Sequence, residues 1–152
     1  MPANACVRDG RGIAEVIVGR PLEVVFDYVS DLRNMPIWWS EHQAYHRLFG
    51  QGGPGTLYAW AMRRGPIPFA PPFGGFTVVT VLQRSKRFAY RILSPALLTR
   101  MTYHFASTSG GTRVSLESRS AAYRLAFFAQ GFSDHVAPAF DTLAATLRAS
   151  SS

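Results

Sequence analysis

The spacing of the apolar residues changes twice along this chain, and these two changes constrain its fold more than any other feature of the sequence. Residues 13–18 are β-branched and typical of a strand, and over residues 21–29 the apolar side chains recur at helical spacing. A second short helix is predicted from residue 30 or 31 up to Trp38 and Trp39.

Beyond this helical stretch, apolar and polar residues alternate with a period of two. Each alternating run is bounded by glycine, proline or serine turn residues, and such short connections indicate an antiparallel meander. The runs predicted as strands are residues 44–49, 56–64, 75–84, 87–93, 98–107 and 112–120.

The last segment, from about residue 123 to residue 149, is predicted as a long helix. Its apolar residues fall in one arc at 100° per residue, with Asp134 and Asp141 on the other side. Pro138 is expected to kink this helix or to divide it in two. A curved antiparallel sheet around such a helix is an α+β arrangement, and we expect a cavity between helix and sheet, plugged at one end by the two short helices.

Composition predicts a single soluble domain. The chain has 152 residues, 47% of them hydrophobic, and no apolar run approaches the roughly 18 residues that span a bilayer. Residues 1–11 lack an apolar stretch and predict no secretory signal. They and residues 150–152 are expected to be flexible tails around a core at about 13–147. Cys6 is the only cysteine, which excludes a disulfide framework, and a cytoplasmic location is expected.

The chain is basic, with a net charge of +7, and every cation except Lys86 is an arginine. Arginine suits bidentate contacts with anions. These arginines are scattered along the sequence, however, whereas nucleic-acid-binding arms and helices cluster theirs, so no nucleic-acid partner is expected.

Some of these arginines are predicted on the convex face of the sheet. Arg91, Arg113 and Arg119, with Arg47 beside them, are candidates for a basic stripe that would suit an acidic acyl carrier protein. Glu117 lies among them and favours ordinary cross-strand charge pairing instead.

Several local strings make the chain similar to a known superfamily. They are AEVIV at 14–18, RPLEVVFDYV at 20–29, DLRNMPIWW at 31–39, GPGT at 53–56 and GGTRV at 110–114. The chain resembles the START/Bet v 1-like superfamily (SRPBCC), and within it the bacterial polyketide cyclase/dehydrase-like proteins. The resemblance covers nearly the whole chain and implies one domain over residues 1–152. The implied fold is the helix-grip fold, in which a curved antiparallel sheet surrounds a long C-terminal helix and a hydrophobic cavity. It does not decide the chemistry, because the superfamily includes cyclases, hydrolases, lipid carriers and plain binding proteins.

One segment departs from this pattern. The loop at residues 65–75 is longer and more apolar than a tight hairpin needs, and exposed Ile67, Phe69 and Phe73 would be costly. We expect this loop to act as a gate over the cavity mouth, to meet a partner, or to pack against the second short helix.

Strand alternation sorts the side chains between the two faces of the sheet. An inward Arg91 or Arg113 would need a buried counter-ion, so the aromatic sets are assigned to the concave face. Their hydroxyl and indole tips are typical either of a pocket for a flat, oxygenated molecule or of ordinary core packing. The residues expected to contact a ligand are Trp38, Trp39, Tyr58, Trp60, Met62, Phe69, Phe73, Phe76, Phe88, Met101, Phe128 and Phe132.

Four residues are candidates for chemistry. Cyclisation of a poly-β-ketone needs a polarised carbonyl, an enol or enolate, and the loss of water. Tyr90 and Tyr103 are candidate donors to the substrate oxygens, and Arg64 is a candidate cation at the cavity rim. His135, at the edge of the long helix's apolar arc, is a candidate base or donor.

Other motifs are rejected. Residues 50–55 match GxGxxG, but a strand follows instead of a helix, so a dinucleotide fingerprint is excluded. No HExxH, CxxC or paired-histidine set occurs, and neither a metal nor a cofactor is expected. His104 faces outward while His42 and His46 lie near a predicted loop, so none of the three is expected to take part.

Two functions of different classes follow. The first is a cofactor-independent polyketide cyclase or dehydratase of specialised metabolism, such as antibiotic biosynthesis, acting on a hydrophobic, oxygenated intermediate. The alternative is a non-catalytic protein that binds or transports a lipid or metabolite. A membrane- or ribosome-associated helper is a third hypothesis, suggested only by the charge. The sequence leaves open a monomer or a homodimer.

Overall fold

The computed structural model describes residues 2–62, 74–93 and 98–151. Within these residues, eight strands form one antiparallel sheet. The strands are β1 Asn4–Arg8, β2 Arg11–Val18, β3 His42–Phe49, β4 Leu57–Met62, β5 Gly74–Gln83, β6 Arg87–Leu93, β7 Thr99–Thr108 and β8 Gly111–Ser120. Their spatial order is β1-β2-β8-β7-β6-β5-β4-β3, so the predicted meander from β3 to β8 is confirmed.

Helices cover one face of this sheet. They are α1 Leu22–Ser30, a 3₁₀ turn at Leu32–Asn34, α2 Met35–Trp38, a second 3₁₀ turn at Ala121–Arg124 and α3 Ala126–Ala149. Pro138 lies inside α3, and the helix runs through it undivided. No helix in the described part of the chain is long and apolar enough to cross a membrane. The result is the helix-grip arrangement that the sequence predicts.

The N-terminal strand β1 corrects one prediction. Residues 1–11 were expected to be a flexible tail, but Asn4–Arg8 pairs with β2 along its whole length. The turn between them places Asp9 and Gly10 at positive φ. Ala5 and its alternate neighbours pack against the core, and the backbone N–H of Ala3 donates to Asp141 of α3 at 2.7 Å. Cys6, on the other face of β1, is exposed.

The concave face of the sheet carries the core. Its aromatic residues point inward as the alternation predicts, and three rings bridge the space between sheet and helix. Tyr103 contacts Phe140 of α3 with ring centroids 6.4 Å apart, and Trp38 contacts the same phenylalanine at 6.1 Å. At these points side chains occupy the interior where a cavity was expected.

Phe76 was expected to contact the ligand, but it lies on the convex face of the sheet. The register of β5 places Thr77 opposite Tyr58 and Val79 opposite Tyr90, so those two residues face inward. Phe76 therefore points away from the core and is 49% exposed. Its expected place in the concave lining is wrong, because strand register, and not the preference of an aromatic ring for the interior, determines its side.

Candidate functional site

Four tyrosines on the concave side of the sheet influence one another electrostatically, and we name Tyr45, Tyr90, Tyr103 and Tyr123 the tyrosine cluster. Tyr90 of β6 and Tyr103 of β7 have stacked rings at 6.1 Å and hydroxyl oxygens 3.5 Å apart. Tyr123 comes from the 3₁₀ turn before α3, and its hydroxyl lies 2.6 Å from the Ser118 hydroxyl. The cluster therefore draws on the sheet and on the turn that leads into the long helix.

Burial raises the pKa of each hydroxyl in the cluster, because an ionised phenol would be a charge without solvent. The hydrogen bond between Tyr90 and Tyr103 offsets this effect only in part for Tyr103. All four residues stay protonated at neutral pH, so they are hydrogen-bond donors and not bases.

A buried histidine lies beside the cluster. His42 is the first residue of β3, and its backbone N–H donates to the Trp39 carbonyl at 3.0 Å. Its ring contacts those of Trp39, Tyr45 and Trp60 at centroid distances of 5.2, 5.4 and 6.2 Å. Burial lowers its pKa to about 4, so the imidazole is neutral at pH 7.

The Nδ1 atom of His42 has no hydrogen-bond partner among the described residues, although the ring is only 9% exposed. A neutral imidazole nitrogen that is buried and unpaired is suited to bind a polar group of a ligand or to accept a proton. The site thus combines several neutral donors with one neutral imidazole that accepts hydrogen bonds and, because its pKa is low, is a weak base.

Sequence reasoning missed His42, Tyr45 and Tyr123. His42 was discounted as a loop residue, but β3 begins two residues before its predicted start. An irregularity in the β3–β4 register between His42 and Ala44 lets both His42 and Tyr45 face inward. The aromatic residues around His42 in the sequence were the available signal, and an irregularity of this kind cannot be read from alternation alone.

Tyr58 belongs to a different environment. The ring centroids of Tyr58 and Tyr45 are 6.4 Å apart, but the pKa of the Tyr58 hydroxyl is influenced by the charges of Asp31, Arg47 and Arg33. Burial is the larger influence and raises its pKa. Asp31 and Arg33 form an ion pair of 2.7 Å at the 3₁₀ turn, so the Tyr58 hydroxyl faces the plug of short helices and not the cluster.

Arg47 was expected beside the outward arginines of β6 and β8, and this placement is wrong. It lies on β3, at the far edge of the sheet from β1, where its charge acts on Asp31 and Tyr58. Arg113 lies 3.7 Å from Glu15, and Arg119 hydrogen-bonds Glu117. The expected cross-strand pairing is thus present for Arg113, whereas Arg119 and Glu117 lie on the same strand, and Glu117 also lies 3.8 Å from Arg11 on β2.

The structure places most of the expected ligand-contact residues on the concave side. Arg64, Phe69, Phe73 and residues 65–73 of the expected gate lie outside the described residues. Fully or partly buried are Trp38, Trp39, Tyr58, Trp60, Met62, Phe88, Met101, Phe128 and Phe132.

His135 lies on the outer flank of α3. Its Nδ1 is 2.6 Å from the Glu41 carboxylate, and its side chain is 56% exposed. The two residues line a small cleft of about 100 Å³ together with Trp39, which contacts His42 on its other side. Trp38 lines the same cleft, so His135 is separated from the buried site by these two tryptophans.

A larger cleft of about 510 Å³ opens between α1 and the end of α3. The Tyr28 hydroxyl is buried there without a hydrogen-bond partner among the described residues. The cleft is lined by Val24, Asp27, Tyr28, Asn34, Thr146, Leu147 and Ser150, none of which belongs to the cluster. Within the described ranges, no group of three or more His, Cys, Asp or Glu side chains is arranged to hold a metal ion.

Solved structures share this architecture. Protein Ms6760 from Mycobacterium smegmatis has a TM-score of 0.74 over 98% of this chain and 99% of that chain, at 17% identity. A protein from Thermus thermophilus has a TM-score of 0.74 over 93% of this chain and 99% of that chain, also at 17% identity. The di-domain ARO/CYC StfQ from the steffimycin biosynthetic pathway has a TM-score of 0.73 over 93% of this chain and 51% of that chain, at 9% identity. Likeness at such identities shows the fold alone.

Family membership rests on sequence. Comparison with curated proteins yields no match. The model of the family described as polyketide cyclase / dehydrase and lipid transport, however, matches residues 13–149, which is nearly the whole chain. The chain therefore belongs to the polyketide cyclase/dehydrase and lipid transport family.

Proposed function

We propose that this protein is a cofactor-independent cyclase or dehydratase that acts on an oxygenated, aromatic or polyketide-type intermediate at the tyrosine cluster. The observation that carries the proposal is a group of buried, protonated tyrosines of which Tyr45 contacts the neutral His42, whose Nδ1 has no hydrogen-bond partner among the described residues. An aliphatic lipid offers few hydrogen-bond partners for so many buried hydroxyl groups. A molecule with several carbonyl or phenol oxygens can form hydrogen bonds with them.

Each group has a role in the proposed reaction. Tyr90 and Tyr103 donate to a carbonyl oxygen of the substrate and so make the carbon between two carbonyls more acidic. His42 is a weak base because its pKa is low, and it removes the proton from this activated carbon. The resulting enolate is stabilised by the tyrosine donors, and its carbon attacks a second carbonyl to form the new C–C bond. The alkoxide formed takes the proton back from His42, and the hydroxyl then leaves as water together with a neighbouring C–H proton.

Shape contributes to the same reaction. The rings of Trp39 and Trp60 lie nearly perpendicular to that of His42, and indole rings of this kind are surfaces on which flat substrate rings stack. Phe140 contacts Tyr103 directly. A substrate ring that binds at Tyr103 therefore takes the place of this contact and lies between sheet and helix. Confining one folded conformer of a flexible poly-β-ketone lowers the barrier by itself.

A non-catalytic binding protein is the second candidate. Its support is that the cluster and His42 are all neutral at pH 7, so the described site holds no charged acid–base pair. The same donors would then fix the orientation of a metabolite without changing it.

Binding at the cluster is tested by titrating the tryptophan fluorescence with a hydroxylated anthraquinone. Tyr90→Phe and Tyr103→Phe each remove one donor and are expected to weaken binding about fivefold. Tyr28→Phe is the matched control, because its hydroxyl is also buried but lines the other cleft. An affinity that falls only in Tyr28→Phe would move the site to the cleft between α1 and α3 and contradict the proposal.

A further inference from the structure

Arginines that are scattered in the sequence form one row in space. Each of them lies directly opposite the next across adjacent strands, and all are exposed. Strands lie about 4.8 Å apart, so the row extends over about 19 Å of the convex face. This arginine row consists of Arg8 on β1, Arg11 on β2, Arg119 on β8, Arg100 on β7 and Arg91 on β6.

The row is only partly neutralised. Like charges opposite one another destabilise a sheet, and Glu117 is the nearby carboxylate that relieves them. It accepts a hydrogen bond from Arg119 Nε at 2.5 Å and lies 3.8 Å from Arg11. Arg8, Arg91 and Arg100 form no ion pair with any carboxylate of the described residues. The row is thus a positively charged surface that the described carboxylates neutralise only in part.

An exposed apolar patch continues the same convex surface. Phe49, Leu57 and Val78 pair in sequence across β3, β4 and β5, and Val78 lies opposite Arg91 at the end of the arginine row. Phe76 pairs with Leu93 beside them. Phe49, Phe76 and Leu93 are 73%, 49% and 42% exposed, which is unusual for residues of their size. These five residues are the apolar patch.

We propose that the convex face of the sheet docks on an anionic lipid surface. Guanidinium groups bind phosphate oxygens, and apolar side chains next to them bury in the boundary between headgroups and acyl chains. A nucleic acid would use the arginines and the rings of Phe49 and Phe76, but it would leave Leu57, Val78 and Leu93 without a partner. An anionic lipid surface is the partner that contacts both the arginine row and the whole apolar patch.

This surface is independent of the proposed reaction. It lies on the opposite face of the sheet from the tyrosine cluster, since the arginines alternate with the inward residues of the same strands. Loss of vesicle binding and loss of ligand binding are therefore separable, and substitutions on one face leave the other intact.

The test is co-sedimentation of the protein with phosphatidylcholine vesicles that contain or lack phosphatidylglycerol. The protein is expected to bind only the anionic vesicles. Combining Arg91→Ala with Arg100→Ala is expected to weaken that binding about thirtyfold, or about fivefold for each arginine. Combining Phe76→Ser with Leu93→Ser is expected to weaken the binding that remains when salt screens the charges.

A matched control removes the same charge elsewhere. Arg84 and Arg113 are exposed, lie off the row and are near Asp27 and Glu15 at 3.4 and 3.7 Å. Their double replacement by Ala is expected to leave vesicle binding within about twofold of the wild type. An equal loss in both double variants would mean that only net charge matters and would overturn the proposal. So would the absence of binding to anionic vesicles, or binding of an oligonucleotide or an acidic protein in their place.

Discussion

Burial acts in opposite directions on the two kinds of titratable residue in the site. It raises the pKa of the cluster tyrosines and lowers that of His42, because in each case the charged form loses its solvation. The consequence is the same for both: each residue is uncharged at pH 7. The buried polar groups of this site therefore offer hydrogen bonds but no charge.

The low pKa of His42 predicts how stability depends on pH. The unfolded histidine has a pKa of about 6.5 and the folded one about 4, so the unfolded state binds the extra proton between these values. The stabilising effect of a neutral His42 is therefore fully present above about pH 6.5. As the pH falls towards 4, the free energy of unfolding decreases by about 3 kcal/mol in total. Urea unfolding at a series of pH values measures this loss.

His42→Phe keeps an aromatic ring at this position and is expected to remove this part of the pH dependence. His46→Gln is the control, since His46 lies on the same strand but is exposed, and it is expected to keep the wild-type profile. If the stability of wild type and that of His42→Phe fell in parallel from pH 7 to pH 4, His42 would not be the cause of this loss.

Part of the site was predictable residue by residue. The inward placement of Tyr90, Tyr103 and Trp60 follows from alternation within regular strands, and the structure agrees. Phe76 was assigned to the wrong face and His42 to a loop. The side of Phe76 depends on which residues pair with its strand, and the position of His42 depends on an irregular register. Neither can be predicted from the sequence of one strand alone.

At the scale of elements, the turn between β7 and β8 shows why two consecutive glycines are used. Gly111 has a φ of 126°, and a Cβ there would overlap the Val18 carbonyl oxygen at the end of β2. At Gly110 a Cβ would make only an ordinary contact of 3.6 Å with Ile17. Only Gly111 allows the turn and the close approach of β2 together.

Replacing these glycines separates the two requirements. Gly111→Ala is expected to lower the free energy of unfolding by about 3 kcal/mol, because both backbone strain and overlap are introduced. Gly110→Ala, one residue away, is expected to change it by less than about 0.5 kcal/mol. Urea denaturation of the two variants would contradict the turn geometry if they lost similar stability.

Most elements were predictable, because long runs with a clear period determine them. β1 was missed although Ala3, Ala5 and Val7 alternate with polar residues. A run of five residues with only Ala5 and Val7 on its core side gives a weak pattern of alternation. Pairing with β2 and contact with α3 hold β1 in place.

At the scale of the whole molecule, the sheet has two chemically different faces. The concave face holds neutral polar tips among rings, and the convex face combines the arginine row with the apolar patch. The linear sequence suggested scattered charge, since the row joins residues as far apart as Arg8 and Arg119. Only the pairing register brings them together, so this surface could not be predicted from spacing.

We propose that the tyrosine cluster and His42 carry out cyclisation or dehydration. The most direct measurement adds the purified protein to a reconstituted polyketide pathway from its own host and compares the products by mass spectrometry. We predict a new product, or a shift in product ratio that follows protein concentration. Tyr103→Phe and His42→Phe are expected to reduce this product at least tenfold while anthraquinone binding stays within about fivefold. An unchanged product profile, with one metabolite retained by the protein, would contradict catalysis and identify a carrier.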